Sequence, residues 1–329
     1  MTALFGSAGF HMTHDPANST PAVSGAAPAR PHDATAGARI LVGLLALAWG
    51  FNWIATAIAL REMSPWTLRS VAVGIAVAVL FAAVALTRQP LRLPRGEWIH
   101  VMIAGLLNVT GFQLFSGFAQ LSGATSRAII ITYSMPIWTT MLSRIVLGEE
   151  LTPIRQLAFA LCICGLGILL WPLFAHGIPV FVFYSLGCAL SWAVATVYIK
   201  WAKVSMPPLA NAAWQLLFGW GFIVIATILV EGAPHLWPLQ TATIGAVLFV
   251  GVCGVGLAHF LWWTIVAKLP AVTASIGSLL VPIVGVTASA VILGERLSLT
   301  DIVGFVSIFA AAACVLLKPT ARATATMPE

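Results

Sequence analysis

The chain has 329 residues, 60% of them hydrophobic and 8% charged, with a formal charge of +6. An ordinary soluble domain is about 25% charged, so this composition excludes a water-soluble globule: too few polar side chains exist to cover its surface. The basic surplus is no nucleic-acid footprint either, because no basic stripe interleaved with aromatics lies outside the apolar runs.

Residues 1–38 are rich in Ala, Gly, Pro, Ser and Thr, without an apolar period. They read as a disordered cytoplasmic tail and lack the basic start and apolar core of a signal peptide. Ten apolar runs follow, at 40–60, 66–87, 98–118, 124–147, 153–174, 179–199, 208–230, 241–266, 271–293 and 300–317. Each approaches the ~20 residues a helix needs to cross a bilayer. The expected fold is all-α and integral to the membrane, with ten transmembrane helices, connections too short for a second soluble domain, and a short tail over 319–329. All five cysteines fall inside the runs without polar companions and read as small apolar residues.

With the N-terminus in the cytoplasm and the helices alternating, twelve of the sixteen Lys and Arg residues fall on the cytoplasmic side. Arg61, Arg127 and Arg296 fall outside, and Arg69 lies just inside the second run. This bias predicts both termini in the cytoplasm of a plasma membrane, the inner membrane of a bacterium.

In the first run, "AWGFNW" (48–53) puts Trp49, Asn52 and Trp53 on one helical face. Asn52 lies about 18 Å along the helix from Ile40. An amide at that depth needs a partner, so it bonds a neighbouring helix or meets a ligand between two aromatic plates. In the second run, Ser64 and Pro65 read as N-cap and first helical residue. Arg69, one turn inside, is placed to snorkel to the interface or to attract an anionic group. In the third, Asn108 shares a face with Phe112 and Phe115, while Gln113 lies off it. In the fourth, Tyr133 precedes Pro136, whose ring frees a carbonyl and kinks or hinges the helix; Pro282 offers the same in the ninth. Trp192 and Ser191 in the sixth run carry polar tips, Tyr198 is placed at the interface, and Gln215 in the seventh is expected to bond between helices. His259 in the eighth is an ionisable group well inside a span, hence a candidate for solute contact or proton coupling. The other histidines, at 11, 14, 32, 100, 176 and 235, lie in the tail or near helix ends.

Two stretches repeat. "PIWTTMLSRIVLGEEL" from Pro136 matches "PIVGVTASAVILGERL" from Pro282 at an offset of 146, and "AQLSGAT" (119–125) resembles "AKLPAVT" (267–273). The unit is five helices, 39–175 and 176–318. An odd number of crossings inserts the second copy upside down, a common plan among secondary transporters with a central site. Glu149 and Glu295 occupy matched places after their helices, where capping or loop ion pairs suffice for them.

A proline with Leu-Gly-Glu eleven positions on, occurring twice in a ten-helix chain, resembles the EamA family of the drug/metabolite transporter superfamily. "SPWTLRSVAVGI" (64–75), "AWGFNW" and "LAHFLWWTIVAKLPA" (257–271) are similar to that family's second, first and eighth helices. The resemblance covers roughly 40–318. It implies ten helices, a central cavity and export or exchange of a small metabolite, often an amino acid. No cofactor is expected. The residues proposed to meet that substrate are Trp49, Asn52, Trp53, Asn108, Phe112, Tyr133, Trp192 and His259, with Pro136 and Pro282 as hinges. An integral-membrane enzyme is the competing class, but no His-Glu-x-x-His motif is present. Partners expected are the lipid bilayer and a small-molecule substrate, not nucleic acid; the sequence leaves a homodimer open.

Overall fold

A computed structural model describes residues 31–172, 177–233, 238–268 and 271–317; side chains are described within these except at 31–39, 266–268, 271–277 and 315–317. Residues 1–30, His176, His235, part of the 267–273 repeat and the tail from 318 onward lie outside. Among the described residues there is no strand. The helices are α1 (Pro31–Ala59), α2 (Pro65–Leu86), α3 (Trp98–Ser122), α4 (Thr125–Leu147) and α5 (Pro153–Leu170). They continue with α6 (Val180–Ala202), α7 (Pro208–Glu231), α8 (241–268), α9 (Ala271–Ile292) and α10 (Leu299–Leu317).

The sequence explains most ends. Ser64 accepts the Thr67 N–H at 3.1 Å and Pro65 follows at the first helical position, as expected for that start. Pro153 and Pro208 open α5 and α7 in the same way. At the Leu-Gly-Glu repeats, Gly148 and Gly294 take φ of +70° and +71°, a left-handed turn that a β-carbon would strain. The Glu149 and Glu295 N–H groups then reach back to Ser143 O and Ser289 O, both at 3.4 Å. This is a Schellman stop, and it gives the repeated motif a structural reason.

Two expectations change. α1 begins at Pro31, inside the stretch read as a tail. Among the described residues eight helices, not ten, are long and apolar enough to cross a membrane; the described parts of the last two, Ser278–Ile292 and Leu299–Cys314, are apolar but shorter. The outer faces carry large apolar side chains such as Leu86, Leu229 and Val291, which suit lipid.

Packing repeats under exchange of each helix with the one five further on. α1 packs on α8 and α9, as α6 packs on α3 and α4. α2 meets α8 as α7 meets α3, and α2–α7 and α5–α10 pair with each other. The two halves of the sequence therefore fold into one interlocked bundle.

Candidate functional site

Two helices widen at corresponding places. In α3 the Phe112 N–H bonds the Leu107 carbonyl five residues back, within the π-helical turn Leu106–Gly111. In α8 the Ala258 N–H bonds Cys253 O, closing Val250–Leu257. Such turns carry an extra residue and re-aim the side chains that follow; they are frequent at functional sites. Asn108 and Val109 lie in the first and Gly254 in the second; Phe112 directly follows the first, and His259 comes two residues after the second. A third interruption, at Tyr133 and Ser134, divides α4 ahead of Met135 and Pro136.

These irregularities surround one cavity. Trp49, Asn52 and Trp53 line it from α1, Asn108 and Phe112 from α3, and Tyr133 from α4. Trp192 enters from α6 and His259 from α8, so all eight side chains nominated from sequence meet there. Gln113 also lines it, although helical spacing put it off the face of Asn108, whereas Phe115 turns outward. The wide turn accounts for the difference, since regular periodicity does not hold across it. Val109, Met135, Leu216, Gly254 and Ser278 complete the wall. Apolar or small residues inside apolar runs carry no signal that would single them out.

The wall carries both hydrogen-bond donors and acceptors. Asn52 Oδ1 is buried without a partner, pressed against Gly254. Asn108 Nδ2 donates to Gln215 Oε1 at 3.2 Å, and Gln215 Nε2 donates to Asn211 Oδ1 at 3.1 Å. This is the interhelical role expected of Gln215, and it leaves Asn108 Oδ1 unpaired. His259 Nδ1 lies 2.7 Å from Val255 O. A carbonyl only accepts, so Nδ1 carries a proton. Around these groups, Trp49 packs on Trp262 (centroids 5.6 Å apart) and edge-on to His259, and Phe112 on Trp192 at 5.3 Å.

Two further spaces adjoin. Pro136 and Pro282 face a common pocket that shares Tyr133, Met135 and Ser278 with the first. Pro136 follows the interruption in α4, while Pro282 lies inside continuous α9. A wider cavity shares Trp49, Asn108, Trp192 and His259 and reaches Ile199, Asn211 and Trp263, toward the end of the bundle where α6 stops and α7 starts.

Arg69 does not snorkel. It is 1% exposed, donates from Nε to Gln113 O at 3.0 Å and from one terminal nitrogen to Ser116 Oγ at 3.1 Å, and leaves its other terminal nitrogen unpaired. α3 covers it, with Gly117 allowing the close approach to Pro65 and Arg69. The guanidinium sits behind Gln113 and does not line the cavity.

The end where α2 begins is cross-braced by carboxylates, each joining one sequence half to the other. Glu231 accepts from the Ser64 and Thr67 hydroxyls at 2.6 and 2.9 Å. Glu295 accepts the Thr125 and Ser126 N–H groups at 2.6 and 2.8 Å, capping α4 from 170 residues away. Asp301 holds Arg127 through two bonds. The Thr243 hydroxyl and the Gln240 N–H hold the Glu62 carboxyl below its ordinary range. At the opposite end Glu149 pairs with Lys200 and Arg155, Tyr198 bonds His100, and the Ser205 hydroxyl and N–H lower the Glu97 carboxyl. Ion-pair and capping roles for Glu149 and Glu295 thus match expectation.

A model of the EamA-like transporter family matches residues 37–171 and 180–317. The chain is 27% identical to the uncharacterized transporter YvbV of Bacillus subtilis (strain 168), across 87% of this chain and 93% of that one. It is 25% identical to a Salmonella typhimurium (strain LT2) protein named "Probable amino-acid metabolite efflux pump", across 81% and 90% of the two. A protein of known crystal structure, 23% identical, superposes with a TM-score of 0.61 over 86% of this chain and 97% of that one, a likeness of fold.

Proposed function

Since this chain belongs to the EamA-like transporter family, with one match in each half, we propose that it is a secondary transporter moving a small metabolite by alternating access between inverted five-helix repeats. The observation that carries the reading is the gathering of eight aromatic and polar side chains from five helices into one cavity, flanked by wide turns at matching places in the two halves. Aromatic walls with a few placed polar groups suit a small organic solute. The name of the Salmonella relative supports an amino-acid-like compound as that solute.

The cavity extends toward the end where α7 starts and is braced by four carboxylates at the other. With both termini in the cytoplasm, as the basic residues favour, this is a state open inward and closed outward in the plasma membrane. Pro136 and Pro282 are the hinges of the exchange, facing each other across the pocket between α4 and α9.

The test is reconstitution of the purified protein in liposomes loaded with a pooled small-metabolite extract. Mass spectrometry then reports which compounds leave faster than from protein-free vesicles. Selective loss supports transport and names the substrate class. No selective loss, with a broadened pool and a counter-solute outside, would overturn the reading.

A further inference from the structure

We infer that the pocket between Pro136 and Pro282 is a second compartment of the binding site: it takes an apolar arm of a solute whose polar end lies in the central cavity, and α10 sets the length of that arm. The inference rests on the transporter reading and deepens it by naming the class of solute, an amphipathic small molecule, and the helix that selects it.

The two spaces adjoin, since Tyr133, Met135 and Ser278 belong to both walls. Met135 is an unbranched side chain with three rotatable bonds, a partition that re-packs at little cost. The chemistry on its two sides differs. The central wall carries the amides of Asn52, Asn108 and Gln113 and the ring of His259. Beyond the three shared residues, the second wall is Ile, Leu, Pro, Phe and Ala, without a hydrogen-bonding side chain. A polar group or a water finds no side-chain partner there, whereas an apolar arm gains by leaving water. The space is internal and does not face the lipid: Ile130 and Ile308 are each 1% exposed, and Pro282 and Ala312 are buried.

α10 closes the far side. Phe305, Ile308, Phe309 and Ala312 follow at three- and four-residue spacing on one helical face, and all four line the pocket. Phe305 and Phe309 pack on each other with centroids 5.9 Å apart, and the small Ala312 leaves room beside them. The corresponding helix of the first half, α5, supplies no residue to this wall. Selection by arm length therefore falls to the second half of the chain, although the two prolines come one from each half.

The test uses the full chain in lipid nanodiscs, with tryptophan fluorescence read against three probes that share one polar end: propanamide, hexanamide and octanamide. A carboxamide both donates and accepts, as the central wall does. Hexanamide is expected to bind roughly tenfold or more tighter than propanamide, from three further buried methylenes. Ala312→Leu fills the pocket and is expected to lower that ratio about tenfold. Phe309→Ala lengthens the pocket and is expected to raise the octanamide-to-hexanamide ratio by about as much. Thermal unfolding without probe verifies that each variant folds, and the two variants act in opposite directions on different ratios. Absence of binding by every probe, or ratios unchanged in both folded variants, would overturn the inference. A more stable Ala312→Leu with an unchanged ratio would also overturn it, and would make the pocket a packing void only. The expected ratios without flux of any compound from liposomes would remove the transporter reading and leave the compartment standing. Selective flux that neither variant alters in its preference for arm length would do the reverse.

Discussion

Asn52 Oδ1 stands where a β-carbon on Gly254 would have to go. The two residues lie 202 positions apart, on α1 and in the wide turn of α8, and one side chain fills what the other leaves empty. Gly254 is therefore the only residue type that lets α1 bring its amide to the cavity wall.

Replacing Gly254 by Ala forces Asn52 from its place. We expect a loss of about 1–3 kcal/mol of stability from overpacking, together with reduced transport. Asn52→Ala added to Gly254→Ala should recover part of the stability but not the transport. Thermal unfolding and liposome flux on the two single variants and the pair would measure this; equal losses in the double variant would argue against the contact.

Gln215→Leu removes both the acceptor of Asn108 Nδ2 and the donor to Asn211 Oδ1. Leaving such groups unpaired costs about 1–3 kcal/mol. Because Asn108 then turns freely, solute affinity should fall in a variant that still folds. Affinity held at the wild-type level would show that the relay does not orient Asn108.

Glu295→Gln and Asp301→Asn each weaken a carboxylate brace on the same end. Both should shift the population toward the outward-open form. A single cysteine introduced at Thr125, in a background lacking the native cysteines, should label faster from that side in either variant. Unchanged labelling would mean that these braces do not hold the closed end.

The Glu62 and Glu97 carboxyls have folded-state pKa values below their ordinary value of 4.5. Stabilisation from a depressed carboxylate is present above the unfolded pKa and lost as pH falls through the folded one. Both braces should thus stay intact from pH 8 to about 5 and weaken only below the ordinary carboxylate range. Thermal stability followed from pH 8 to 3, in wild type and in Glu62→Gln, checks this; a difference between the two that vanished already near pH 6 would contradict it.

His259→Gln retains an acceptor in the cavity and removes the titrating ring. If His259 couples protons, flux in this variant should lose its response to an imposed pH gradient while downhill exchange survives. A wild-type gradient response in the variant would assign coupling elsewhere or to no group at all.

What was legible along the chain has a local cause. The apolar runs, the Ser64–Pro65 start and the repeated Leu-Gly-Glu stop depend on residues within one or two turns, and each appears in the fold. The eight cavity residues were legible for a related reason: an amide, a histidine or a tryptophan away from the interface is costly or unusual in an apolar run, so its position marks the inner face. Gln113 was misread because that argument assumes an unbroken 3.6-residue period, which the turn at 106–111 does not keep.

The amino-acid sequence by itself determined the class of the protein, its repeat, most of its helix ends and most of the inward-facing residues of its spans, because periodicity and capping act over a few residues. Only the tertiary structure decided that Arg69 is buried under α3, that Glu295 caps α4, that Gly254 admits Asn52 and that Asn108 keeps a free oxygen. Each of those joins segments from 44 to 202 positions apart, and which donor meets which acceptor across such a distance follows from how whole helices pack.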